Sequence, residues 1–303
     1  MIPLFREKLW NALVQIRVDP LPIPVDKAQL TGRVSADSFD GGHTAAWMAG
    51  LPAPTWVAVR DSQTGHTIQV VSDRSPAALK EDLKTGLALM GWITKRPVTW
   101  YWWDQPWVRH LPSGVEPGRD HVNGGWATPG VPEVHVYRRE EAHKVMLHEC
   151  IHALGLDVDE MKAAAQRPRF EAAFGRRLWP HLGEAYTELY AEFLWSIASS
   201  SSLKGAAEAW AHQGRCSEKQ AAQVWMRVHD STTDENTNIF AYYVLKWVLM
   251  QHLEAALFRK NASVDHWFTW WLAAKPFLDQ KVQKTAITAS EYQELRMGMT
   301  CPS

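Results

Sequence analysis

The sequence predicts an α+β fold, with a sheet-bearing N-terminal lobe followed by a mainly helical C-terminal lobe. Three observations carry this. Between residues 55 and 103, runs of β-branched and aromatic residues alternate with turn-forming clusters and one helical stretch. Beyond residue 139, apolar residues recur at helical spacing almost to the end. At the junction stands His148-Glu149-Cys150-Ile151-His152, on the helix that joins the two lobes.

Taken in order, residues 4–17 read as a short helix, and Pro20, Pro22 and Pro24 as an extended arm after it. Thr55–Arg60 and Thr67–Val71 have the composition of strands, and the turn-like Asp61-Ser-Gln-Thr-Gly65 between them predicts a hairpin. Ser75-Pro76 opens an amphipathic helix over 76–93, as cap and first helical residue. Val98–Trp103 is a further strand. The stretch from Leu111 to Gly130, rich in Gly and Pro, reads as a loop, and Val134–Tyr137 as a short alternating strand. Helices are expected near 139–155, 159–174, 181–198, 217–229, 235–258 and 263–274. Two regions result: residues 1–112, an α/β region of no assigned role, and residues 113–303, a catalytic region around the motif helix.

The composition excludes several classes. The 32 basic and 33 acidic residues are interspersed, so there is no electrostatic footprint for nucleic acid. Hydrophobic residues at 46% and charged residues at 21% describe an ordinary globular chain. The longest apolar run, Ile239–Phe258, is interrupted by Lys246, Gln251, His252 and Glu254 and reads as a core helix, so no membrane span is expected. The N-terminus has charges inside its short apolar stretch and does not read as a signal peptide. Cys150, Cys216 and Cys301 are odd in number and widely spaced, which predicts no disulfide framework and a cytoplasmic or other reducing compartment. The 17 tryptophans are best read as core filling.

The chemistry is concentrated in the five-residue motif. Histidines four apart lie one above the other on a helix face, where both imidazoles reach one Zn²⁺. The glutamate after the first histidine is then angled at a metal-bound water, so Glu149 is the candidate general base. Val145-Met-Leu before the motif, and Ile151, Ala153 and Leu154 within and after it, make this a buried amphipathic helix, with Gly155 as its stop. A catalytic zinc needs a third protein ligand. Glu184, Glu188 and Glu192 form a stripe of like charges every four residues, an arrangement that repels itself unless a cation is present. Glu184 is the first choice as ligand, with Glu188 as acceptor for a ligand-histidine N–H; the reverse assignment stays open. The alternative H-E-x-x-H-x-x-G-x-x-H arrangement fails at Val158, with Asp157 and Asp159 flanking the slot out of register.

The motif with a downstream glutamate helix resembles the gluzincins, the group that includes thermolysin-like peptidases and zinc aminopeptidases. Leu182-Gly-Glu-Ala-Tyr186 is similar to the L-N-E-G-F stretch of some of those aminopeptidases, whereas their G-x-M-E-N signature is absent. Over about residues 120–270 a closer resemblance covers His121-Val-Asn-Gly-Gly, Val134-His-Val-Tyr-Arg-Arg-Glu-Glu, Lys144-Val-Met-Leu-His-Glu, Glu184-Ala-Tyr-Thr-Glu and Asn238-Ile-Phe-Ala-Tyr-Tyr. These look like a group of metallopeptidases inferred from sequence and encoded largely by giant DNA viruses. The resemblance implies a zincin-like fold, a zinc cofactor and a virion-associated setting as one possibility.

The expected activity is a zinc metallopeptidase acting on a peptide or protein. Val134–Tyr137 would serve as the edge strand that holds it, and Tyr242, Tyr243, Tyr186 or His121 as oxyanion donor. The alternatives are a zinc hydrolase for another acyl group, and a non-catalytic zinc-binding structural or virion-associated protein.

Overall fold

The first helix, α1 (Ile2–Gln15), leads to strand β1 (Pro20–Pro22), which pairs with β2 instead of remaining a free arm. The computed structural model describes residues 2–36, 41–108, 110–112, 119–157, 165, 167–174, 181–230, 237–258, 264–284 and 294–296. Helices α2 (Lys27–Ala36) and α3 (His43–Gly50) precede the hairpin of β2 (Thr55–Asp61) and β3 (Thr67–Ser72). Its turn contains Gly65 at φ 77°, a left-handed conformation that glycine adopts at no steric cost. Helix α4 (Pro76–Ile93) starts with the Ser75 hydroxyl accepting from the Ala78 N–H at 3.3 Å, and it crosses over to β4 (Thr99–Gln105), parallel to β3.

The expected loop over 111–130 contains structure. A short strand β5 (His110–Pro112) is followed by a helical turn α5 (Arg119–Val122) and strand β6 (Gly125–Ala127). Strand β7 (Glu133–Arg138) runs parallel to β4 and antiparallel to β6. The sheet order is β1-β2-β3-β4-β7-β6, so β7 is interior and β6 is the edge. This corrects the expectation that Val134–Tyr137 forms an edge: three residues among glycines and prolines are too few to show a strand period. The sheet takes strands from both sides of residue 112.

Alternation along the strands sorts two cores. Ile68, Val70, Trp100, Trp102, Val134 and Val136 face α4 and the motif helix. Val71, Tyr101, Trp103 and Tyr137 face α2 and α3. Helix α4 lies tight on the sheet at Gly86, where an added Cβ would come within 2.5 Å of the Trp100 ring. Trp100, Trp102, Trp103 and Trp271 are fully buried, as core filling requires.

The motif helix α6 is shorter than expected, Ala142–Ala153, and follows Glu141 at φ 58°. After α7 (Arg167–Phe174) comes the glutamate helix α8 (Leu182–Ala198). The expected 217–229 helix is the last part of a longer one, α9 (Leu203–Asp230). The expected 235–258 helix is divided: a π-helical turn Phe240–Leu245, then α10 (Lys246–Gln251) and α11 (Leu253–Phe258). Helix α12 (Val264–Lys284) carries Pro276 internally, and strand β8 (Glu294–Arg296) pairs antiparallel with β5. The described residues therefore form a mixed α+β fold in which an open six-stranded sheet precedes a set of packed helices.

Cys150 is free and buried, with its Sγ 3.5 Å from Met146 Sδ. Cys216 is disulfide-bonded, so the cysteines lend no support to a reducing compartment. Among the described residues, no helix is long and apolar enough to cross a membrane. Val158 and Asp159, which decide the alternative metal arrangement, lie outside the described residues.

Candidate metal centre

Two helices and a π-helical turn build the site. Along α6, Lys144, His148 and His152 follow one another at intervals of four; along α8, Glu184, Glu188 and Glu192 do the same. The two stripes face each other with opposite sense. His148 and His152 meet Glu184, His148 also meets Glu188, and Lys144 meets Glu188 and Glu192. The π-helical turn brings Tyr242 to Glu184, and Lys246 at the start of α10 lies beside Glu188 and Glu192, in the same sense as α8.

At the head of this arrangement, His148 Nε2 and His152 Nε2 are 3.1 Å apart, and each is 3.3 Å from Glu184 Oε2. These three atoms form a group able to hold a metal ion. The remaining ring nitrogens have other partners. His148 Nδ1 is 3.0 Å from Glu188 Oε2, and His152 Nδ1 is 2.8 Å from Asp157 Oδ2. With each Nδ1 beside a carboxylate, donation from Nδ1–H would leave both Nε2 atoms as the metal-binding nitrogens, the tautomer a metal ligand needs.

Asp157 reaches back because the helix ends in a tight reversal. Gly155 takes φ 63°, the Leu156 N–H donates to Ile151 O at 2.9 Å, and the Gly155 N–H donates to His152 O at 2.9 Å. Sequence reasoning weighed Asp157 only as a neighbour of the Val158 slot and missed this role. A carboxylate two residues after a helix-stopping glycine was the available signal.

Electrostatics favour a positive charge among the three atoms. Burial opposes protonation of His148, but hydrogen bonds to Glu184 and Glu188 outweigh it and raise its pKa. Burial likewise works against His152, yet Asp157 and Glu184 raise it well above its ordinary value. Burial works against the Glu184 carboxylate, but the two histidines hold it well below the usual range. Glu149, 6% exposed, lies beside this group, and burial pushes its carboxyl up to about 6. Tyr242 completes the wall: its hydroxyl donates to Glu184 Oε2 at 3.2 Å and accepts from Asn238 Nδ2 at 3.3 Å.

The three ligand atoms and Glu149 open into a cleft of about 480 Å³, which Tyr242, Asn238, Thr237, His181, Asn123 and Trp126 help to line. Of the four oxyanion candidates, Tyr242 lines this cleft; Tyr186, Tyr243 and His121 do not. The edge strand forms one wall. At Gly125 an added Cβ would lie 2.4 Å from His135 O of β7 and 3.2 Å from Glu149 Cγ of the motif helix, so only glycine fits between them. The Gly124 carbonyl accepts from the Tyr137 N–H at 2.9 Å, and Trp126 pairs with His135. In an antiparallel ladder the bonded positions alternate, which turns the N–H and C=O of Gly125 and Ala127 outward.

No protein-family model, curated protein or solved structure matches the chain.

Proposed function

We propose that the chain is a zinc-dependent hydrolase, specifically a metallopeptidase of zincin-like fold. His148, His152 and Glu184 are its ligands, and Glu149 is its general base. One observation carries the reading: two imidazole Nε2 atoms and a carboxylate oxygen converge at 3.1–3.3 Å on the floor of an open cleft. Tetrahedral coordination at zinc–ligand distances of about 2.0–2.1 Å needs ligand atoms about 3.3 Å apart. The donor set, two neutral imidazoles and one carboxylate, suits zinc and leaves a coordination position open. A closed structural site takes four protein ligands, whereas three converge among the described residues, which favours catalysis over the non-catalytic alternative.

When bound, the metal supplies Lewis acidity and lowers the pKa of a water to about 7. The chain's own groups do the rest. Glu149 takes a proton from the attacking water and passes it to the leaving amine. Tyr242 presents its O–H at the ligand group, where the carbonyl oxygen of a bound substrate gathers negative charge. The outward N–H and C=O groups of Gly125 and Ala127 hold an extended peptide as a further strand of the sheet. This use of main-chain pairing favours a peptide over another acyl substrate.

The test is cleavage of a mixed peptide library by zinc-loaded protein, with and without chelator. Glu149→Gln is expected to keep its zinc and lose about 10²–10⁴ in turnover. Chelator-insensitive cleavage, or full activity in that variant, contradicts the proposal.

A further inference from the structure

Behind the proposed ligands lies a cluster that the chemistry above does not use. Lys144, Glu188, Glu192 and Lys246 have side chains that are all 0% exposed. Glu188 Oε2 accepts from His148 Nδ1–H at 3.0 Å, while its Oε1 is in direct contact with Lys144 Nζ. Lys246 Nζ stands further off, 3.8 Å from Glu188 Oε1 and 3.6 Å from Glu192 Oε2. Lys144 Nζ is 3.9 Å from Glu192 Oε2, and neither Glu192 oxygen has a hydrogen-bond partner among the described residues. Burying ionisable groups is costly unless pairing offsets it, and apolar side chains of similar size would fill the same space. The observation in need of explanation is why this arrangement sits immediately behind one ligand.

We propose that Lys144 is a positioning residue for the metal centre: it clamps one oxygen of Glu188 so that the other is held on His148 Nδ1–H. A carboxylate engaged at both oxygens cannot rotate away. The imidazole is then fixed in orientation and tautomer, and its Nε2 lone pair is aimed at the ligand point. Lys144 lies one helical turn before His148, so the clamp is built into the motif helix itself. Glu192 and Lys246 supply the balancing charge pair. This inference rests on the zinc reading above.

The test uses two charge-compensated double variants of the full chain, Lys144→Met/Glu192→Gln and Lys246→Met/Glu192→Gln. Each removes one buried cation and one buried anion. Zinc affinity is measured by competition with a chromophoric chelator, and the thermal midpoint of the zinc-free protein is recorded alongside. The Lys144 variant is expected to bind zinc about 10–100-fold more weakly, the usual effect of losing a partner behind a ligand, and the Lys246 variant within about threefold of wild type. Equal losses in both, or none in the Lys144 variant, overturn the clamp while leaving the zinc site standing. A wild type that takes up no zinc overturns both. Should the Lys144 variant fail to fold, isosteric Glu188→Gln carries the same test, because its amide presents an acceptor oxygen to one of Lys144 and His148 and a donor NH2 to the other. Wild-type affinity in that variant also overturns the clamp.

Discussion

Each histidine of the motif has one nitrogen committed to a carboxylate, His148 to Glu188 and His152 to Asp157, which frees the other for the shared point beside Glu184. In the proposed zinc site these outer partners set ligand orientation, so Asp157→Ala is expected to weaken zinc binding about 10–100-fold while the zinc-free protein melts near wild type; chelator competition measures it. A different histidine contributes to acid stability. His135 stacks on Trp126 with ring centroids 3.8 Å apart, and burial lowers its pKa to about 3. The unfolded chain takes up that proton below about pH 6.5 and the folded chain does not, so stability falls as pH drops from 7 toward 4 and is unaffected above 7. By pH 5 the loss from this group is about 2 kcal/mol. His135→Phe keeps the stack and is expected to lose less stability to acid than wild type, measured by denaturant unfolding at pH 7 and pH 5. His148, Glu149, His152 and the acidic stripe were legible in the sequence because helical spacing alone places them. Lys144 and Lys246 were not: one read as part of a motif's flank and the other as an interruption in an apolar run.

At the scale of elements, helices and strands with strong periods were legible, including the hairpin at 55–72 and the helices at 76–93 and 182–198. What escaped were elements whose identity depends on tertiary pairing. Strand β6 has three residues and no period of its own, and its existence follows from the hydrogen-bonding groups that β7 offers. The π-helical turn at Phe240–Leu245 is equally silent in sequence; there the Lys246 N–H donates to Ala241 O, five residues back. Strand β6 lies close to both β7 and α6 at Gly125. Gly125→Ala must displace His135 O or the strand, and is expected to destabilise the protein by about 1–3 kcal/mol and to reduce peptide cleavage more than zinc content. Thermal melts, metal analysis and steady-state kinetics on the one variant separate these effects, and a stable, fully active Gly125→Ala protein would remove β6 from the site.

For the molecule as a whole, the sheet backs the helices that carry the candidate metal site. Strand β7 delivers the chain to α6, two buried cores hold the sheet from either face, and α8 lies antiparallel to α6 with its acids on the histidines. The α+β class was readable from the change of period near residue 139, but the order of the strands was not, since it joins segments far apart in sequence. In the proposed function, His148, His152 and Glu184 hold one zinc ion. Metal analysis of purified protein, by atomic emission on wild type and on folded His148→Ala, tests it most directly. One zinc per chain in wild type and none in the variant is the predicted result. A folded wild type without zinc, or a variant that keeps its full content, would rule the zinc site out.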